Sequence, residues 1–337
     1  MSTCFTYLDL IAKHLKEHHA AILVGAGFSR NADKPDDSFP DSPTWPQLAE
    51  AFVNKLSSDD AERERLLRVS PLVLAERVEA VFGRPELDHL LLEQIPDQGY
   101  RPSSLHRKLL KLPWSDIFTT NYDTLLERAG DDMTEESFSV ITTKDDLIGS
   151  SGTARIVKLH GSFPSQRPFI ITSEDYRTYP QIFAPFVNTV QQALLENTLC
   201  LIGFSGDDPN FEKWIGWIRD NLGSDNSPNI YLLTHQDPSE AEKKLLYRKK
   251  IIPVDISSCA PGQPVRLRYE AALDYLLKKQ EENDPSAWPE LHILPSERPI
   301  AEIAELLRKV RASYPGWLTV PKHRRDALLH LRRSAES

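Results

Sequence analysis

Cysteine is scarce in this chain. The 337 residues contain three, Cys4, Cys200 and Cys259, far apart and with no C-x-x-C pair, so neither a zinc ribbon nor a disulfide framework is expected from them. A chain of this length buries a sizeable core without staples, and a reducing compartment is the default reading. Long apolar runs are missing too. None approaches the roughly 20 residues that span a bilayer, and the start Met-Ser-Thr-Cys-Phe-Thr-Tyr lacks the positive and apolar regions of a secretion signal. A cytoplasmic protein is expected. Positive charge is in deficit, with 40 Lys+Arg against 49 Asp+Glu and a net charge of −9, which argues against a basic groove following a nucleic-acid backbone. No internal repeat or low-complexity tract is found. What remains, 40% hydrophobic and 26% charged residues, is a globular composition.

The pattern along the chain is α/β. Leu8, Ile11 and Leu15 share one helical face, and Ala21 to Val24 reads as a buried strand running into Gly25-Ala26-Gly27-Phe28-Ser29. Residues 31–46, loaded with Pro, Asp and Ser, read as a long loop. Thr44 with Gln47 forms a capping-box signal for the helix that follows, and an all-helical insertion of about 45–112 reads as a cap. Strands then recur at Asp116 to Thr120, Arg155 to Leu159, Thr198 to Ile202, Ile230 to Leu233 and Ile251 to Ile256, with helices around Phe211 to Asn221, Pro238 to Arg248 and Pro264 to Lys279. This alternation predicts a Rossmann-like parallel sheet with helices on both faces. The predicted domain spans residues 1–280. Beyond it, 281–337 begins with a polar linker and carries helices with no partner strand, which suits a further module or an oligomer contact.

Ligands of open parallel sheets bind beyond the carboxyl ends of the strands, and four polar clusters fall there. Gly25 and Gly27 allow a tight turn and close approach to a bound group, and Ser29 reads as the opening of a helix whose free N–H groups favour phosphate. Asn121 and Asp123 follow the strand with Thr119 and Thr120; they either cap a helix from Tyr122 to Arg128 or hold a ligand, and a neutral amide at 121 can donate and accept at once. His160 ends the next strand beside Gly161, where a neutral imidazole with a pKa near 6.5 can take a proton. In Gly203 to Phe211, Asp208 and Pro209 read as helix cap and first turn, leaving Gly203 and Ser205 to contact a phosphate or ribose.

In order and spacing, G-A-G-F-S at 25–29, T-T-N-Y-D at 119–123, H-G-S at 160–162 and G-F-S at 203–205 resemble the motif series of the sirtuin superfamily. The resemblance covers roughly residues 5–280. It implies a Rossmann-type domain that takes NAD as substrate and breaks its nicotinamide–ribose bond. Carried over, Gly25, Ala26, Gly27 and Ser29, with Phe28 in the same loop, line the dinucleotide, and Asn121 and Asp123 hold the nicotinamide ribose region. His160 is the base, while Gly203, Phe204 and Ser205 contact the adenosine half. The chain lacks the two Cys pairs of the protein-deacylating sirtuins and their G-I-P-D-F-R loop, so no metal site is expected. Its D-P-N-F segment is more similar to the sirtuin-like effector domains of prokaryotic antiphage systems. Those imply NAD depletion in abortive infection, a homo-oligomer, a fused or separate sensor or ATPase module, a phage-derived trigger, and a chain that is the N-terminal part of a longer protein.

The expected chemistry is hydrolysis through a ribose of oxocarbenium character, with Asn121 fixing water or ribose hydroxyls and His160 accepting a proton. It requires both side chains to face one cavity beside the first glycine bend. Two other readings stand beside it: an NAD-dependent deacylase or ADP-ribosyltransferase, and a sensor of NAD or ADP-ribose without turnover.

Overall fold

The computed structural model describes residues 3–133, 137–150, 154–204, 208–223 and 227–281. The chain divides into two units, 1–277 and 278–337, and most of the second lies outside the described residues, including the helices expected after residue 281. The described order begins α1 (Thr3–Lys16), β1 (Ala20–Val24) and α2 (Ala26–Ser29). A helical stretch follows with α3 (Trp45–Leu56), α4 (Asp60–Leu66), α5 (Pro71–Phe82), α6 (Arg84–Gln94) and α7 (Ser104–Leu110). Then come β2 (Ile117–Thr119), α8 (Leu125–Asp131), β3 (Phe138–Ile141), α9 (Lys144–Gly149) and β4 (Ala154–Lys158). The chain continues through α10 (Ser173–Ile182), α11 (Ala184–Glu196), β5 (Thr198–Ile202), α12 (Pro209–Leu222), β6 (Ile230–Thr234), α13 (Glu240–Arg248), β7 (Ile251–Asp255) and α14 (Val265–Glu281).

The seven strands pair in the order β3-β4-β2-β1-β5-β6-β7, and every pairing is parallel. Such a sheet must be covered on both faces, and the alternation within each strand shows how. Ile22, Val24, Cys200 and Ile202 point into one apolar core with residues of α1, α7 and α14. Ala21, Leu23, Leu199 and Leu201 point into a second core with residues of α10, α11 and α12. Each fully buried aliphatic side chain contributes about 1.5–3 kcal/mol, so the central strands anchor the domain. β3, for which the sequence gives no strand signal, is a four-residue edge strand in which only Ile141 is buried.

The helical stretch builds its own core. Phe52, Leu74, Val78, Leu87 and Leu91 pack with Tyr122, Phe163 and Phe169, which lie in the segments that follow β2 and β4. Gln47 closes the predicted capping box of α3 by accepting from the Thr44 N–H at 2.8 Å. Leu105, Leu109 and Leu110 of α7 instead belong to the sheet core, although they lie inside the 45–112 stretch. Arg84 on α6 fastens the insertion to the chain beyond β4: it bonds Asp88 at 2.9 Å, both oxygens of Asp175 at 3.1 Å, and the Phe169 carbonyl.

Two cysteines that are distant in sequence meet in the fold. Cys4 and Cys259, separated by 255 positions, place their sulfurs 3.6 Å apart as free thiols, because α1 packs beside the turn that follows β7. Among the described residues, no helix is long and apolar enough to cross a membrane.

Candidate functional site

Strand register sets the site. Val24, Thr119, Lys158 and Ile202 form one row across β1, β2, β4 and β5, and the chain leaves the sheet just beyond it. Gly25, Asn121, His160 and Gly203 therefore emerge at the carboxyl ends of four contiguous strands, with β1 at the switch point between the two halves of the sheet. His160 and Asn121 follow neighbouring strands. Ser205 lies outside the described residues.

The glycine loop serves the protein's own backbone first. Gly27 N–H bonds the Gly203 carbonyl at 2.9 Å. A Cβ on Gly25 would stand 2.5 Å from that same oxygen, and one on Gly203, whose φ is +62°, only 2.1 Å from Phe28 N. Close approach of two loops, and not only of a ligand, thus demands glycine here. Phe28 departs from its expected contact role: its side chain is fully buried in the sheet core, with its ring 5.1 Å from that of His106. Ser29 ends α2 rather than opening a helix. Ala26 and Gly27 are the exposed members of the loop, and Gly203 and Phe204 beside them are half-buried.

Ser29, Asn121 and Asp123 form a chain of hydrogen bonds. The Ser29 hydroxyl donates to Asp123 Oδ2 at 2.7 Å, and Asn121 Nδ2 donates to Ser29 Oγ at 2.9 Å. The other Asp123 oxygen accepts from Leu125 N–H at 3.2 Å. Helix α8 begins at Leu125, three residues later than the sequence suggested. Burial raises the Asp123 pKa against the opposing influence of Lys158 and Ser29. Lys158, itself fully buried, bonds the Asp123 carbonyl and pairs with Glu127 at 2.8 Å.

The chain has a direction. While Asp123 is ionised its carboxylate only accepts, so the single Ser29 proton is committed to it, and the face of Ser29 toward Asn121 is a lone pair. The amide end that meets it must be the NH2 group. In that state the NH2 end belongs at Ser29, and Oδ1, buried and without a hydrogen-bond partner, is the open end of the amide.

His160 is held differently. It is 2% exposed and Asn121 is 7% exposed, so neither opens onto the cavity expected beside the glycine bend. The imidazole ring lies edge-on to Tyr176 and Tyr179, with centroids 5.3 and 5.8 Å away. Burial lowers its pKa, while Asp208 and Asp175 push the other way, so a neutral ring is the resting form. Its polar neighbour is Asn210, whose Nδ2 lies 3.4 Å from His160 Nε2. Sequence reasoning missed Asn210, because Asp208 accounted for the segment as a cap. Asp208 does cap α12, accepting from the N–H groups of Asn210 and Phe211 at 2.9 and 3.0 Å, but it also accepts the Tyr176 hydroxyl at 2.9 Å. The apolar cleft between α11, α12 and the starts of β5 and β6, lined by Leu194, Leu199 and Ile215, lies at the opposite end of the strands and shares no residue with this cluster. Among the described residues, no group of three or more His, Cys, Asp or Glu side chains is placed to hold a metal ion.

Residues 115–254 match the model of a SIR2-like domain. Among curated proteins, the chain is similar to the NAD(+) hydrolase ThsA of Acinetobacter baumannii (strain 532279), 32% identical over 215 residues, which is 63% of this chain and 42% of the relative. It is also similar to Defense-associated sirtuin 2 of Bacillus subtilis, 24% identical over 77% of this chain and 25% of that protein. The ThsA of Bacillus cereus (strain MSX-D12) is 23% identical over 72% of this chain and 49% of its own length. The chain thus spans between a quarter and a half of the length of these relatives.

Proposed function

We propose that this chain is the NAD-cleaving domain of an antiphage effector, hydrolysing the nicotinamide–ribose bond to nicotinamide and ADP-ribose. The observation that carries the proposal is the buried, partnerless Asn121 Oδ1 beyond β2, on the strand next to the one that ends at a neutral His160. An unsatisfied buried carbonyl costs roughly 1–3 kcal/mol, a cost relieved when a donor arrives. A ribose hydroxyl or a water is such a donor. The names of the ThsA relatives support the substrate.

On this reading the C1′–N bond breaks with its electron pair passing to the nicotinamide ring, and positive charge develops on the ribose. Water adds to C1′ while its proton passes to the neutral imidazole, and Asn121 Oδ1 holds the water or the ribose hydroxyls in line. Ala26, Gly27, Gly203 and Phe204, the more open residues of the two loops, are the contacts offered to the dinucleotide. Because both reacting side chains are closed off, substrate entry requires the elements that cover them to shift. Oligomer assembly, a sensor module and a phage-derived trigger belong to the same proposal as the means of producing that shift.

Incubation of the purified protein with NAD, following nicotinamide and identifying the second product by mass spectrometry, tests the proposal. Free ADP-ribose is expected. An acylated or protein-linked ADP-ribose would redirect it to group transfer, and tight NAD binding with no cleavage under any assembly condition would replace it with a sensor.

A further inference from the structure

We propose that Asn210 is the positioning residue of His160: its amide sits at imidazole Nε2, donating while the ring is neutral and turning its carbonyl to Nε2–H once the ring has taken a proton. The inference rests on the catalytic role proposed above for His160, and three observations support it. Asn210 is 1% exposed, so its amide must be satisfied by the protein or by what binds there. One end meets His160 at 3.4 Å, while Oδ1, fully buried, has no partner. Its backbone is fixed at the start of α12 by Asp208, which also holds Tyr176, whose ring packs edge-on against His160.

An aromatic cage orients a ring but does not choose its tautomer. Tyr176 and Tyr179 place the imidazole, yet Tyr179 gives its hydroxyl to the Leu159 carbonyl at 2.8 Å and Tyr176 gives its own to Asp208. In this proposal the amide NH2 donates to Nε2, which makes that nitrogen the lone-pair site and places the ring proton on Nδ1. The single Nε2 lone pair serves one donor at a time, so the amide N–H yields it as the proton arrives, and at 3.4 Å that contact is long enough to be given up. After protonation the same position needs an acceptor, and a half-turn of the amide presents Oδ1, the atom with no other use. An amide serves both states, whereas a carboxylate would serve only the cation. Asp208 and Asp175 act on the ring as charges; Asp208 is occupied by α12 and Tyr176, and Asp175 by Arg84 and the N–H groups of Ile171 and Thr172.

Nitrogen-15 NMR of histidine-labelled protein tests this without relying on turnover. The wild type is expected to show His160 as the Nδ1–H tautomer, and Asn210→Ala a mixture or the opposite form. In Asn210→Asp, a carboxylate beside Nε2 is expected to raise the His160 titration midpoint by about one unit or more. If the protein cleaves NAD, Asn210→Ala lowers kcat about 10²-fold with KM little changed, and thermal unfolding separates this from lost structure. An unmoved tautomer in Asn210→Ala together with an unmoved midpoint in Asn210→Asp overturns the proposal. Absence of NAD cleavage by the wild type bears instead on the proposed function and leaves the NMR result to stand by itself.

Discussion

The two halves of the site are held by opposite means. On the β2 side, Asn121 is the end of a hydrogen-bond chain rooted in a buried carboxylate; on the β4 side, His160 stands in an aromatic cage with one long amide contact. The first arrangement dictates polarity, since each donor is committed to the next acceptor. The second leaves the charge free to change. A group that must present a fixed acceptor is wired, whereas a group that must gain and lose a proton is packed.

Substitutions that cut each half at its functional end give the largest expected effects. His160→Ala should lower nicotinamide release about 10²- to 10⁴-fold with folding intact; retained turnover in a folded variant would remove the imidazole from the mechanism. Cutting the wired half at its root should come next. Asp123→Asn puts an amide where Ser29 needs a pure acceptor, so the direction of the chain is no longer enforced, and the buried groups left mismatched should cost about 1–3 kcal/mol in urea unfolding. A drop in turnover of about tenfold or more, with NAD still bound, is expected beside it, and wild-type values in both assays would show that the chain does not set the Asn121 amide. Ser29→Ala interrupts the same chain without disturbing the charge, so a smaller fall is expected in the same two measurements; a loss larger than that of Asp123→Asn would contradict the ordering.

The smallest and most discriminating effect is on pH dependence. Asp123 has a raised pKa in the folded state, so the native protein keeps that proton to higher pH than the unfolded chain; its contribution to stability is greatest in acid and falls as pH rises from about 3.8 through the folded value. His160 has a lowered pKa, so the unfolded chain binds its proton first on acidification; its contribution falls as pH drops from about 6.5 through the folded value. The two slopes are opposite in sign. Urea titrations across this range should become steeper in acid for Asp123→Asn and shallower for His160→Gln, and equal responses would erase the contrast between the halves.

Much of this was legible in the sequence for a physical reason. Central parallel strands are buried on both faces and read as short β-branched and apolar runs, so the ends of β1, β2, β4 and β5, and with them Asn121 and His160, could be placed. β3, with Phe138, Ser139 and Val140 not fully buried, carries no such signal. The sequence reading assigns no element between Leu159 and Thr198, where α10 and α11 lie, so the Tyr176 and Tyr179 cage is not legible in it. Asn210 was hidden behind a sufficient local explanation, the Asp208 cap, and nothing in D-P-N-F reports what the first turn of α12 faces. Phe28 reads as part of a ligand loop by position, but its burial depends on α7 and α14, distant in sequence. The Cys4–Cys259 approach was invisible for the same reason.

The central claim is that the Asn121 carbonyl and the His160 imidazole act on one reacting group. A double-mutant cycle on nicotinamide release from NAD tests it most directly, using Asn121→Ala, His160→Ala and the pair, each verified as folded. Residues that act as a unit lose most of their effect together, so the pair should be no slower than the slower single variant by more than a few fold. Losses that multiply in full, or a single variant with wild-type turnover, would mean that the two side chains do not serve the same step.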